Sequence, residues 1–137
     1  MRESLQTKVR AIHNEAQPEK VGKVPSAPKY LCEYGREMFE RLAPKLVRLH
    51  LLTEIDDVLL IMYCDAWATW RHARETYNTL TYKSSGAERR EIARTINKAR
   101  IEVMKLGVDL GLSPGARTRI DIGKARVDDE ATEADFF

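Results

Sequence analysis

The sequence predicts an all-α fold: a long antiparallel helical hairpin with a shorter N-terminal helix packed on it. Residues 53–80 contain no glycine or proline and carry apolar side chains at spacings of three and four, which predicts one long helix. A second segment, from Ile92 to Leu110, has the same apolar spacing and contains one glycine, Gly107. Because a short polar turn at 82–86 joins the two segments, the helices must lie antiparallel. The sequence shows no strand pattern and no internal repeat.

Residues 1–28 are predicted to form a flexible basic arm. Three of the five prolines of the chain lie in this region, and it offers few apolar side chains for burial. A solvated tail is the more frequent outcome for such a composition, but the arm also carries basic side chains that can reach phosphates. The candidate contacts are Lys8, Arg10, Lys20 and Lys23.

The first helix is predicted to run from about Ser26 or Lys29 to Leu42. Pro44 is expected to end this helix, because it would remove a hydrogen bond and clash inside it, and to begin a short second helix over 44–51. The predicted buried side of the first helix consists of Leu31, Tyr34, Met38 and Leu42.

The long helix is predicted to begin at a capping box, with Thr53 as the N-cap and Asp56 three residues later. It carries one continuous apolar stripe and a second apolar set on another face. The stripe consists of Ile55, Leu59, Met62, Ala66, Trp70, Ala73, Tyr77 and Leu80.

The second apolar set of the long helix requires a second cover, since a helix that is apolar on two faces must be buried on both. Either a neighbouring helix of the same chain or a second subunit covers it, and the sequence leaves both open. The sharper hypothesis is a second subunit. The predicted oligomer interface then consists of Leu60, Cys64, Trp67 and Ala68.

The second helix of the hairpin is predicted to begin at a capping box formed by Ser85 and Glu88. Gly111 is the predicted C-cap glycine, and Gly107 is predicted at an exposed position near the helix end. The apolar stripe follows a heptad-like spacing. It consists of Ile92, Ile96, Ala99, Val103, Leu106 and Leu110.

A basic ridge, formed by Arg90, Arg94 and Lys98, is predicted on the opposite face of this helix. Like charges four residues apart repel each other by about 0.2–0.5 kcal/mol per pair in an isolated helix. A row kept together against that repulsion is better explained by an anionic partner than by solvation alone. That partner is DNA or the acidic long helix of another subunit, and the sequence does not separate the two.

The segment after the hairpin continues the basic character. Ser113 is predicted to cap a short helix with Pro114 at its first position. The candidate phosphate contacts in this region are Arg117, Arg119, Lys124 and Arg126.

The last ten residues are predicted to form an acidic segment that docks on another protein, because acidic residues surround two terminal aromatic ones. A passive solubilising tail is the alternative. The candidate contacts are Asp128, Asp129, Glu130, Phe136 and Phe137.

The distribution of charge is more informative than the net charge of +2. Residues 53–80 carry a balance of −3, residues 81–127 carry +6 and residues 128–137 carry −5. Segregation of this kind indicates a basic surface for a polyanion and an acidic tail for a different partner.

Enzymatic chemistry has little support in the sequence. The histidines, at 13, 50 and 72, lack metal-ligand spacing, and no glycine-rich phosphate loop follows a strand. We therefore expect no cofactor, no metal site and no membrane segment, in a cytoplasmic protein whose Cys32 and Cys64 are reduced. A helical transcriptional regulator or adaptor protein is the alternative. The acidic start of the long helix argues against a groove-reading helix there.

Three motifs, in this order, resemble phage terminase small subunits, the DNA-recognition components of genome-packaging motors. They are Leu-Leu-Thr-x-x-Asp at 51–56, Tyr-Cys-x-Ala-Trp at 63–67 and Leu-Gly-Leu-Ser-Pro-x-x-Arg at 110–117. The third motif, at the end of a helical hairpin, is the most specific. The resemblance covers roughly residues 24–120. Met38 and Phe39 stand where the family often has a larger aromatic residue, which is a mild departure.

The resemblance implies an α-helical protein that forms a ring, binds double-stranded phage DNA near the packaging start, and regulates the ATPase and nuclease of the terminase large subunit. It implies no catalytic residues in this chain. The expected organisation is a basic arm at 1–28, a helical core and oligomerisation domain at 29–120, and a basic-then-acidic tail at 121–137. The expected partners are phage DNA, the large subunit and further copies of the chain, in the cytoplasm of an infected bacterium.

Overall fold

The computed structural model describes residues 22–118, and this part of the chain is all-helical, as predicted. Helix α1 spans Glu33–Arg48, α2 spans Asp57–Asn78 and α3 spans Gly86–Asp109. Helix α3 packs along α2, and α1 packs on α2. Gly107, near the end of α3, lies against Tyr63, near the start of α2, so the two long helices run antiparallel.

Helix α1 differs from its prediction, because it is one continuous helix with Pro44 inside it. A proline in a helix interior costs about 3 kcal/mol. Here the proline and Glu40, whose carbonyl loses its amide partner, are both exposed to water. The opposite face of the helix buries Phe39 and Leu46, and such side chains each contribute about 1.5–3 kcal/mol. Burial on one face therefore offsets the cost of the proline on the other.

The ends of α1 also differ from the predicted boundaries. The chain before Glu33 forms a turn in which the Leu31 amide donates to the Pro28 carbonyl at 3.2 Å. After Arg48 the backbone closes with His50 in the left-handed region at φ 54°, and the Leu51 amide donates to the Leu46 carbonyl at 3.0 Å. This is a Schellman arrangement, which ends the helix before residue 51.

The buried side of α1 is displaced by about one residue from the predicted side. Met38 and Leu42, which were predicted to be inward, are only partly buried and flank the core, and Tyr34 is partly buried as well. Leu31 is buried, as predicted, although it precedes the helix. The residues buried within α1 are Gly35, Phe39, Ala43 and Leu46.

The start of α2 forms only half of the predicted capping box. The Asp56 carboxylate accepts hydrogen bonds from the Thr53 amide at 2.9 Å and the Thr53 hydroxyl at 2.7 Å. The Thr53 hydroxyl thus donates to Asp56 instead of accepting from its amide. Asp56 itself is the N-cap, and the helix begins at Asp57 instead of Thr53.

The second apolar set of α2 belongs to the core of a single chain. Leu60 and Cys64 are 0% exposed and cluster with Phe39, Ala43 and Leu46 of α1, and Ala68 is also buried. No second subunit is therefore needed to bury Leu60, Cys64 and Ala68, because all three are already buried within one chain. Burial also raises the pKa of the Cys64 thiol to about 12, so the thiol stays neutral near pH 7.

The main apolar stripe of α2 is buried in its middle and exposed at its start. Ala66 and Ala73 are buried and most of the other members are partly buried. Ile55 and Met62, which were placed on the same stripe, are instead largely exposed.

Arg71 of α2 holds α1 and α2 together at the protein surface. Its guanidinium lies 4.2 Å from the centroid of the Tyr34 ring and pairs with Glu37 of α1 at 3.2 Å. The Tyr34 hydroxyl donates to the Glu75 carboxylate, and this hydrogen bond lowers the pKa of Glu75. Trp67 lies beside the same guanidinium and remains partly exposed, so its predicted role at an interface stays a prediction.

Helix α3 begins as predicted, with the Ser85 hydroxyl accepting from the Glu88 amide at 3.1 Å. It ends in a Schellman motif: Gly111 has φ 75°, and the Leu112 amide donates to the Gly107 carbonyl at 2.8 Å. Gly107 was predicted to be exposed, but it is buried. A Cβ there would lie 3.4 Å from the Tyr63 ring, so the glycine allows close helix packing.

The predicted apolar stripe of α3 faces α2. Ile96, Ala99 and Leu110 are buried, and the remaining members are partly buried. Beyond the Schellman motif, a further helical turn begins at 114. The Ser113 hydroxyl accepts from the Ala116 amide at 3.1 Å, which confirms Ser113 as the cap.

Candidate nucleic-acid interface

The basic ridge of α3 lies in full contact with water. Its three members are exposed, on the side of the helix that faces away from α2. None of these three residues, Arg90, Arg94 and Lys98, has an ion-pair or hydrogen-bond partner among residues 22–118. Three unpaired cations over about two turns of one helix face attract a polyanion.

Two other arginines of α3 have local partners and lie outside the ridge. Arg89 donates to the Thr81 carbonyl and joins the start of α3 to the turn that precedes it. Arg100 donates to the Asn97 side chain at 3.1 Å. These contacts hold the two guanidinium groups close to the protein surface.

Arg117 has a structural contact in addition to its predicted role. It is exposed, and its guanidinium donates to the Leu112 carbonyl at 3.1 Å, within the turn that joins α3 to the following helical turn. Substitution of Arg117 would therefore change that turn as well as the surface charge. For a test of DNA binding, the ridge residues are better targets.

The remaining predicted site residues are only partly covered by the structure. Lys23 is exposed in the segment before α1. The other predicted phosphate contacts and the whole predicted docking tail lie outside residues 22–118. These are Lys8, Arg10, Lys20, Arg119, Lys124, Arg126, Asp128, Asp129, Glu130, Phe136 and Phe137.

The sequence prediction omitted three apolar side chains that lie beside the ridge. Ile101, Met104 and Val108 are exposed on α3. Together with Arg94 and Asn97 they form a 3-4-3-4 series, which we call the outer stripe of α3. The heptad count that identified the buried stripe contains this second series too, and a search for more than one stripe would have found it.

The described part of the chain shows no metal-binding cluster. Among residues 22–118, no three His, Cys, Asp or Glu side chains are grouped so that they could hold a metal ion. Within the same range, no helix combines the length and apolar character of a membrane span.

Comparison with known proteins finds one family. The family model described as "Phage terminase, small subunit" matches residues 35–126. This range includes nearly all of α1 and the whole of α2 and α3. No curated protein and no solved structure matches the chain.

Proposed function

The chain belongs to the phage terminase small subunit family, and on that premise we propose that it binds phage DNA at the packaging start and regulates the terminase large subunit. In this role the chain catalyses no reaction itself. It acts in the cytoplasm of the infected bacterium, as a ring of identical subunits. DNA and the large subunit are its other partners.

The basic ridge is the observation that supports DNA binding by the described residues. Phosphate contacts by Lys and Arg release counterions and supply most of the affinity of sequence-independent binding. In a ring, modest contacts from each subunit add, because the second and later contacts are intramolecular. The arm and the segment after the hairpin contribute Lys8, Arg10, Lys20, Lys23, Arg117, Arg119, Lys124 and Arg126.

The negative charge at the start of α2 favours binding through phosphate contacts elsewhere on the protein, with only weak recognition of bases. Glu54 and Asp57 are exposed there and would repel the walls of a DNA groove. Phosphate contacts position a protein on DNA without reading the base sequence. Recognition of the packaging start then depends on the assembled ring and on DNA shape.

The first test measures the wild-type protein. Light scattering should give a molar mass that is a multiple of the 15.7 kDa chain. The logarithm of its affinity for duplex DNA should fall linearly with the logarithm of salt concentration, by about 0.9 for each phosphate contact. A monomer would contradict the ring, and affinity that is constant between roughly 50 and 200 mM salt would contradict electrostatic binding.

Deletion of residues 128–137 tests the proposed contact with the large subunit. The truncated protein should bind DNA equally or more tightly, because five negative charges are removed. Its stimulation of the ATPase of the large subunit should fall. Replacement of Phe136 and Phe137 by serine in the full chain is the matched control, since it keeps the charges and removes the aromatic contacts. Full stimulation by the truncated protein would assign the tail to solubility.

A further inference from the structure

Exposed apolar side chains of the hairpin are concentrated at one end of it. Six large ones, each 43–67% exposed, lie near the start of α2 and the end of α3, which are adjacent because the helices are antiparallel. Three of them belong to the outer stripe of α3. The others are Val58 and Met62 of α2 and Ile55 in the turn that precedes it. With Asp65 they have a 3-4-3 spacing, and we call these four residues the outer stripe of α2.

The two outer stripes carry opposite charges at matching places. Along α2 the apolar residues come first and Asp65 follows, whereas along α3 Arg94 comes first and the apolar residues follow. Asp65 and Arg94 are both exposed, and neither has an ion-pair partner within the described range. Each stripe is thus an apolar surface with an unpaired charge at the end that points towards the hairpin turn.

We propose that the outer stripe of α3 packs antiparallel on the outer stripe of α2 of a second copy of this chain. If Ile101 lies opposite Val58, then Met104, one turn later, lies near the turn before α2 that contains Ile55. Arg94 lies seven residues before Ile101 and Asp65 lies seven residues after Val58. The same register therefore places Arg94 opposite Asp65, about 10 Å along the helix from the apolar pair. Parallel packing could also bring the apolar side chains together, but it would leave Arg94 and Asp65 at opposite ends of the contact, each without a partner. The charge pair therefore favours the antiparallel direction.

The contact is head-to-tail, because each copy presents one stripe of each kind. A heterologous contact of this type closes into a ring when its rotation allows closure. The inference rests on the proposed ring and identifies the surface that forms it. Arg94 then faces a neighbouring subunit. Arg90 continues the same series one turn nearer the hairpin turn, beyond the Arg94–Asp65 pair, and is left for DNA together with Lys98. Both partners that the sequence allows for the basic ridge are then used: the acidic α2 of a neighbouring subunit contacts Arg94, and DNA contacts Arg90 and Lys98.

The apolar part of the contact is tested with Ile101→Glu and Val58→Glu. Each change places a charge on one stripe, so each should raise the dissociation constant between subunits at least roughly tenfold, as light scattering and dilution would measure. Circular dichroism should stay unchanged, because both positions are exposed within the chain. Tyr82→Glu, at an exposed apolar residue in the hairpin turn, is the matched control and should leave the molar mass unchanged.

The register is tested by exchange of charge. Arg94→Glu alone and Asp65→Arg alone should each weaken assembly roughly tenfold, while the double variant should assemble within about threefold of wild type. A mixture of the two single variants should also assemble, because each supplies the partner that the other lacks. Lys83→Glu, which makes the same kind of charge change in the hairpin turn, should have no effect.

The outcomes separate this inference from the proposed function. A monomeric wild-type protein overturns both the ring and the contact. An oligomeric wild type whose mass is unaffected by Ile101→Glu and Val58→Glu overturns the contact alone. A double charge variant that stays dissociated overturns the register. Unchanged mass with lost DNA binding or lost ATPase stimulation also overturns the proposal, and assigns the stripes to DNA or to the large subunit.

Discussion

Leu60→Ala should lower the free energy of unfolding by about 2–5 kcal/mol without changing the number of subunits in the assembled protein. Leu60 is fully buried between α1 and α2, so the substitution leaves a cavity within one chain. Chemical denaturation would measure the loss of stability, and light scattering of the folded protein would measure the subunit number.

Leu49→Ala is the matched control for this substitution. It removes the same atoms from an exposed leucine at the end of α1, so the unfolding free energy should change by no more than about 0.5 kcal/mol. The opposite result for Leu60→Ala, a lower molar mass at unchanged stability, would place Leu60 at a subunit contact. It would then contradict the burial of this side chain by α1.

Replacement of both Arg90 and Lys98 by alanine should produce the largest loss of DNA affinity among substitutions in the described part of the chain. Both cations are exposed and unpaired on α3, and the substitutions leave Arg94 in place for subunit contact. The slope of log affinity against log salt should become shallower by about 1.8 for each subunit that contacts DNA with both residues. Assembly and helical content should be unchanged.

A control with the same loss of charge is available on α1. Arg41→Ala combined with Lys45→Ala removes two exposed cations that have no place in the proposed interface, so the salt slope should stay close to that of wild type. If the α3 variant keeps the wild-type slope while its affinity is unchanged, the ridge does not contact phosphates. DNA binding would then depend on the arm and on residues 117–126.

Much of the helical architecture follows from local sequence patterns. The Ser85 hydroxyl accepts a hydrogen bond from the Glu88 amide, Gly111 adopts the left-handed conformation at the end of α3, and Ser113 caps the next turn, all at the predicted positions. These features depend on residues within one turn of each other, so their energetics are contained in a short stretch of sequence. The buried stripe of α3 was predictable for a similar reason, because its spacing leaves one continuous apolar face.

The candidate site was predictable only in part. The sequence identifies the basic ridge, since four-residue spacing places its cations on one helix face. It does not show that the Arg117 guanidinium donates to the Leu112 carbonyl. Nor does it show that Ile101, Met104 and Val108 remain exposed beside the ridge. Both facts depend on where the other helices end and on which faces they cover.

The sequence alone determined that the described chain is helical, where α3 begins and ends, and which family it resembles. Tertiary structure decided that α1 continues through Pro44, since the burial of Phe39 and Leu46 offsets a local cost that sequence rules treat as decisive. It also decided which of the two apolar faces of α2 lies inside the chain. Leu60 and Cys64 are buried because α1 packs there, and a contact between segments about twenty residues apart in sequence has no local signature.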